Sequence, residues 1–345
     1  MTPANRTPRL TTALCGGLIG LTALAATATA ADFYKDKSIT IVIASAAGGS
    51  YDAYARIVAH HLGRYIPGNP TIVPRNMPGA AGIPSTHFIY EVAPKDGTAI
   101  GAPLNTVPLS QLLEPDKATY NCAELNWIGA VASPANVLAT WYTSGIKTIE
   151  DAQKKEALIG ATTPNTTMEM YPLMANNLFG TKFKVITGYI GGAEVNIAME
   201  RGEVQGRGAN TYVAYRFQNA DWIRDKKINF VFQMTLTRDP SLPDVPTLLE
   251  YATTDEQKKI VTLMATTEAI GRSIMAPPKV PADRVALLRK ALMDVVKDKQ
   301  FLDEADKAQL DVNPIPGETL QKMVTDLVST APAIVEKYKL AVSRP

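Results

Sequence analysis

The sequence holds few of the residues that usually announce chemistry. Its 345 residues contain two cysteines and three histidines. Cys15 lies in the apolar N-terminal stretch, so the chain beyond it keeps only Cys122 and can form no intrachain disulfide. A lone cysteine without a His and Asn constellation reads as a buried side chain rather than a nucleophile. The histidines are His60, His61 and His87. His60 and His61 are adjacent, which is expected to point them to different faces of a helix, in structural roles. There is no H-E-x-x-H, no cysteine cluster and no EF-hand loop, so no metal site is expected. There is also no G-x-S-x-G elbow, no S-x-x-K, no Gly-Lys-Ser/Thr after a glycine turn and no G-x-G-x-x-G. No catalytic residue and no cofactor is implied.

Charge of one sign is lacking too. Without residues 1–30, which contain two arginines and no acid, 33 basic residues face 33 acidic ones. With no basic arm, nucleic acid is not an expected partner, and electrostatic attachment to membranes is not either. Beyond the N-terminus no apolar run reaches the ~18 residues a membrane helix needs.

What is present starts with that N-terminus. Arg6 and Arg9 precede an apolar stretch from Leu10 to Ala26, and Ala28-Thr-Ala30 has the small-residue pattern of a cleavage site. This reads as a secretory signal peptide cut near Ala30; an uncleaved membrane anchor is the alternative. The Thr-Ala-Leu-Cys15 context does not suit a lipoprotein. The rest, at 46% apolar and 20% charged residues, has globular composition and length for two domains of ordinary size.

The stretch Ser45 to Arg56, SAAGGSYDAYAR, follows the β-branched run Ile39–Ile43 and leads into apolar spacings of three and four. A strand, a glycine turn and a helix start aim backbone N–H groups and the helix dipole at one point, where an anion fits. A plain αβ connection is the other reading. Ser50 or Asp52 is expected to cap this helix. Strands at Thr71–Val73 and Thr98–Ala102, with a helix from Ile83 to Val92, complete a first α/β unit with a parallel sheet. Further strands are expected at Trp127–Val131 and Val137–Trp141.

The pattern restarts near Ser144. Thr148 caps a helix, Leu158–Thr162 is a strand, a helix runs to Phe179, and Val185–Tyr189 and Gly202–Gly208 are strands. Asn229–Leu236 is another strand. The proline-rich Arg238–Pro246 reads as a crossing back. Ile270–Met275 is extended, a helix capped by Asp283 follows, and Gly317 opens a last one. The donor-rich turns are Ser45–Tyr51, Gly79–Gly82 (with Ala81), Asn105-Thr106, Thr162–Thr167 and Ile190–Ala193. Facing each other across a cleft, they suit a small polar anion that is held and released by hinge closure.

In order along the chain, GGSYDAYAR, RNMPGAAG, APKDGTAIG, YIGGAE with RGEVQG, LPDVPTLLE and MAPPKVPADRVALLRKAL resemble the periplasmic solute receptors of tripartite tricarboxylate transporters, the Bug-type receptors. The resemblance implies an α/β, two-lobed periplasmic binding protein (Venus flytrap) with parallel-rich sheets and extended inter-lobe crossovers. It implies lobe 1 at 31–136 and 241–345, and lobe 2 at 137–240. It implies a monomeric, non-enzymatic receptor in the periplasm, with a small carboxylate as ligand and membrane transporter subunits as partners. Carried over, the ligand-binding residues are Ala47, Gly48, Gly49, Ser50 and Tyr51 in lobe 1, with Ala81 and Asn105 from the neighbouring turns. In lobe 2 they are Thr163, Asn165, Thr166, Thr167, Tyr189 and Gly192.

The chain departs from the family at Ala47-Gly48-Gly49, where Pro-Gly-Gly is usual, at the Thr-Pro-Asn-Thr-Thr turn, and at Gln205, where Asp is usual. Tyr51 adds an aromatic at the anion site. These departures open the ligand class from di- and tricarboxylates to aromatic or longer acids. Arg207 and Arg272 lie at extended ends that either face the cleft or serve ion pairs. A secreted α/β hydrolase-like enzyme using Ser50 or another Ser/Thr hydroxyl is the second reading, and a sensor subunit the third.

Overall fold

A computed structural model of the chain describes residues 1–2, 33–162 and 166–344. The cleavage position expected near Ala30 and the candidate residues Thr163 and Asn165 lie outside the described residues.

The β-branched run expected as the first strand is β1 (Ser38–Ile43), followed by α1 (Ser50–Leu62). Then come β2 (Thr71–Asn76), α2 (Ile83–His87), β3 (Ala99–Ala102), α3 (Val107–Leu113) and β4 (Asn126–Ala130). Pro84 falls in the first turn of α2, where its missing N–H costs no bond. The chain then builds β5 (Asn136–Trp141), α4 (Ile149–Lys154), β6 (Ala157–Gly160), α5 (Thr167–Phe179), β7 (Phe183–Ile186), α6 (Gly192–Glu200) and β8 (Gly206–Thr211). After α7 (Tyr212–Gln218), α8 (Ala220–Arg224) and β9 (Ile228–Gln233), a connector leads to α9 (Asp255–Ile270) and β10 (Ser273–Ala276). The chain closes with α10 (Ala282–Val295), α11 (Lys299–Lys307), β11 (Ile315–Pro316), α12 (Gly317–Val328) and α13 (Pro332–Ala341).

The strands form two sheets. One has the order β11-β4-β10-β3-β1-β2, the other β7-β6-β8-β5-β9. The expected parallel pairings are there: β1 with β2 and β3, and β6 with β7 and β8. Strands that return from the far part of the chain pair antiparallel, so both sheets are mixed. Alternation along β1 explains its double burial. Ile39, Ile41 and Ile43 pack with α1 and α10 on one face, while Val42 joins the core on the other. That second core is continuous across both sheets, taking Trp127 from β4, Leu138 from β5 and Phe232 from β9.

Several local expectations are corrected. The α1 cap is Gly49 with no side-chain bond. Asp52 instead reaches back to accept the Gly48 N–H at 2.9 Å. Asp283 does not cap α10, whose N-cap is Pro281. The strand expected to reach Tyr189 stops at Ile186, because Gly188 (φ 115°) turns the chain out of the sheet. Helix α9 takes up Ile270, expected as extended. The Thr148–Asp151 capping box and the Gly180 stop of α5 stand as read.

Candidate functional site

Four of the turns expected to carry donors meet at one cavity of about 680 Å³. Tyr51 reaches it from α1, Ala81 from the glycine turn before α2, Asn105 from the turn before α3, and Thr166 and Thr167 from the start of α5. Side chains from the first sheet's elements thus face the second sheet's α5. Leu104, Leu109, Met170 and Met264 give the cavity apolar walls, and Thr267 and Glu268 close it from α9. The turn at Ala81 is strained. Gly79, Ala80, Ala81 and Gly82 all have positive φ, with Ala81 at 54°. Non-glycine residues hold that conformation only where the surroundings enforce it, and such sites cluster at ligand contacts.

The other candidates fall elsewhere. Ala47, Gly48, Gly49 and Ser50 are exposed and do not line this cavity. The Gly48 N–H, expected to be free for an anion, is taken by Asp52. Helix geometry still leaves the N–H groups of Ser50, Tyr51 and Asp52 without intrahelical acceptors. Burial pushes the Asp52 carboxyl up, but bonds from Arg56, Asn76 and Gly48 outweigh it and hold the group at about 2. Tyr189 packs beside Gly160 in the second sheet's own core. Gly192 offers its carbonyl to Arg207 at 3.2 Å.

The two arginines left open by the sequence are not explained by ion pairs. Among the described residues, neither has a carboxylate within 4.0 Å. Arg272 stacks its guanidinium 4.1 Å from the Tyr51 ring centroid, and its Nη2 donates to Ser50 Oγ at 3.4 Å. Its Nε is buried without a partner. Arg207 is 8% exposed and donates only to neutral acceptors: the Ala209 and Gly192 carbonyls and Asn196 Oδ1. Each guanidinium therefore sits beside a glycine turn without an ion pair among the described residues, although Arg272 is near enough to act on the Glu268 carboxyl.

Glu268 escaped the sequence reading. Its Oε2 accepts from Asn136 Nδ2 at 2.7 Å and Asn105 Nδ2 at 3.2 Å, while Asn105 Oδ1 accepts from the Tyr51 hydroxyl at 2.7 Å. Glu268 Oε1 and the Tyr171 hydroxyl are both buried and make no bond of ordinary geometry, yet they are close enough to influence each other's protonation. Burial raises the Glu268 carboxyl above its usual range. The local signal was a Thr254-x-x-Gln257 capping box ahead of an apolar stripe, which marks α9.

His60 is exposed and His61 buried, as adjacent helix positions should be, yet their rings share one partner. His60 Nδ1 and His61 Nε2 both reach Glu304 Oε2 on α11, at 2.9 and 2.7 Å, and the Arg64 guanidinium abuts His61 Nδ1. Rotamer choice brings neighbouring rings onto one carboxylate. None of these residues lines the cavity. Cys122 is fully buried, and desolvation pushes its thiol far up.

No family model matches the chain. The UPF0065 protein in the gbd 5′ region of Cupriavidus necator is 24% identical over 331 residues, covering 94% of each chain. Among solved structures, a TctC solute binding protein from Polaromonas superposes with a TM-score of 0.69 at 16% identity, covering 88% of this chain and 99% of that one. R. palustris Rpa4515 with adipate gives 0.60 at 16% identity, covering 89% and 97%. The two mixed sheets joined by extended crossings, and the cavity between them, are thus the two-lobed Venus-flytrap fold of the TctC and Bug-type tripartite tricarboxylate solute-binding proteins.

Proposed function

We propose that this chain is a periplasmic receptor that captures a small carboxylate between its lobes and hands it to a membrane transporter of the tripartite tricarboxylate type. In this reading, residues 31–136 and 241–345 form lobe 1 and residues 137–240 form lobe 2. The observation that carries it is the cavity itself: Tyr51, Ala81 and Asn105 on one side meet Thr166 and Thr167 on the other, around apolar walls. Concave, largely apolar sites with a few placed polar groups are the usual form of small-molecule pockets. Arg272, stacked behind Tyr51 at the cavity's edge without an ion pair among the described residues, adds positive charge that favours an anion. The Polaromonas relative is a solute binding protein, and the R. palustris relative holds adipate.

The hydrolase reading is weaker at its named residue. Ser50 Oγ has the Arg272 guanidinium beside it, and a guanidinium does not accept the hydroxyl proton. Thermal-shift titration of the mature protein with mono-, di- and tricarboxylates tests the receptor reading. Saturable stabilisation by at least one acid is expected, and none from any of them would sink it. Arg272→Gln should weaken the best acid at least tenfold, about 1.4 kcal/mol. Undiminished affinity in that variant would remove Arg272 from the site.

A further inference from the structure

We propose that Glu268 sets the ligand class of the cavity: it accepts a hydrogen-bond donor, ammonium or hydroxyl, at the far end of a monocarboxylate and rejects a second carboxylate. The proposal rests on the carboxylate-receptor reading and narrows it.

Glu268 is 7% exposed, yet it lines the 680 Å³ cavity. Both of its hydrogen-bonding neighbours are neutral amides, on Asn105 and Asn136, and both donate to Oε2. Oε1 is buried beside the Tyr171 hydroxyl, with no bond of ordinary geometry between them. Among the described residues no Lys, Arg or His stands within 4.0 Å of this carboxylate. The other charged groups on the cavity wall are compensated: Glu114 pairs with Lys117 at 2.6 Å and Lys339 with Glu336 at 2.8 Å. Glu268 is therefore the acid of the cavity wall that has no ion pair, although Arg272 and the Tyr171 hydroxyl are near enough to act on it. The nearest positive charge lies behind Tyr51, outside the cavity wall, where Arg272 stacks on the ring beside Ser50 and the start of α1.

A site with these two poles fits a ligand with one carboxylate and one donor, separated by an apolar chain along Leu104, Leu109, Met170 and Met264. A dicarboxylate would place a second negative charge against a desolvated acid, and two such groups cannot both ionise cheaply. An ammonium pairs with Glu268 instead, and a hydroxyl donates to it.

Calorimetric titration of the mature protein decides the matter. The probes are 4-aminobutyrate, 5-aminopentanoate and 6-aminohexanoate against succinate, glutarate and adipate, with 6-hydroxyhexanoate as the neutral-donor arm. At pH 7.5 the best ω-amino or ω-hydroxy acid should bind at least tenfold tighter than the dicarboxylate of equal length. Glu268→Gln keeps an acceptor for the two asparagines and should cut that preference at least tenfold. A wild-type preference for dicarboxylates, or an unchanged ratio in Glu268→Gln, overturns the proposal while leaving the receptor reading intact. Binding of no carboxylate at all overturns the receptor reading itself.

If the variant does not fold, the wild-type ratio carries the test alone: a best ω-amino or ω-hydroxy acid that binds no tighter than the dicarboxylate of equal length overturns the proposal.

Discussion

A Gly208→Ala variant is expected to lose about 3 kcal/mol of stability, the upper part of the usual range for overpacking, and to lose ligand binding with it. An added Cβ would stand 1.7 Å from the Met168 carbonyl oxygen and 2.7 Å from its carbon. Neither atom is the end of a flexible side chain. Both belong to the first turn of α5, which lies against β8. Relief requires α5 to move away from the sheet. The same turn carries Thr166 and Thr167 into the cavity, so the movement that relieves the clash also opens the site. Urea denaturation measures the first effect and thermal shift with the best acid measures the second. A loss under 0.5 kcal/mol, on the order expected of an unstrained surface change, would mean that α5 does not pack on β8 as described.

The second large effect is expected at Asp52. Its carboxylate is 3% exposed and accepts from the Gly48 N–H at 2.9 Å, from Arg56 Nε at 2.8 Å and from Asn76 Nδ2 at 2.8 Å. It thereby ties the glycine turn, α1 and the end of β2 into one unit. The folded-state value of about 2 lies below the ordinary value of 3.8. A depressed carboxyl stabilises the fold above its unfolded value and loses that contribution as pH falls through its folded value. The difference corresponds to about 2.5 kcal/mol at pH 7, shrinking to about half by pH 3. Asp52→Ala should show that loss in urea melts at pH 7 and a smaller one at pH 3. A pH-independent difference between variant and wild type would contradict it.

Much of the framework is legible because its signals are local. A β-branched run, a glycine turn and a 3.6-residue stripe are each written within a dozen residues, and β1 with α1 follows from them. The cavity is partly legible for the same reason: Tyr51, Ala81, Asn105, Thr166 and Thr167 all sit on turns that end strands or begin helices. The acid in its wall is different. Glu268 is an ordinary polar residue near the end of a helix, and only Asn105, 163 residues away, and Asn136, 132 residues away, make it a buried one. Sheet order is non-local in the same way. β10 returns between β3 and β4, with partners that its four residues do not name. The glycine turn offers no free N–H at Gly48, because Asp52, four residues on, takes it.

The central claim is that one small carboxylate is held between the lobes. A crystal structure of the mature protein with the tightest-binding acid of the panel tests it most directly. The ligand should occupy the 680 Å³ cavity, within hydrogen-bond distance of Tyr51 or Asn105 on one side and Thr166 or Thr167 on the other. A ligand bound outside this cavity, or touching only one of the two sides, would contradict the account.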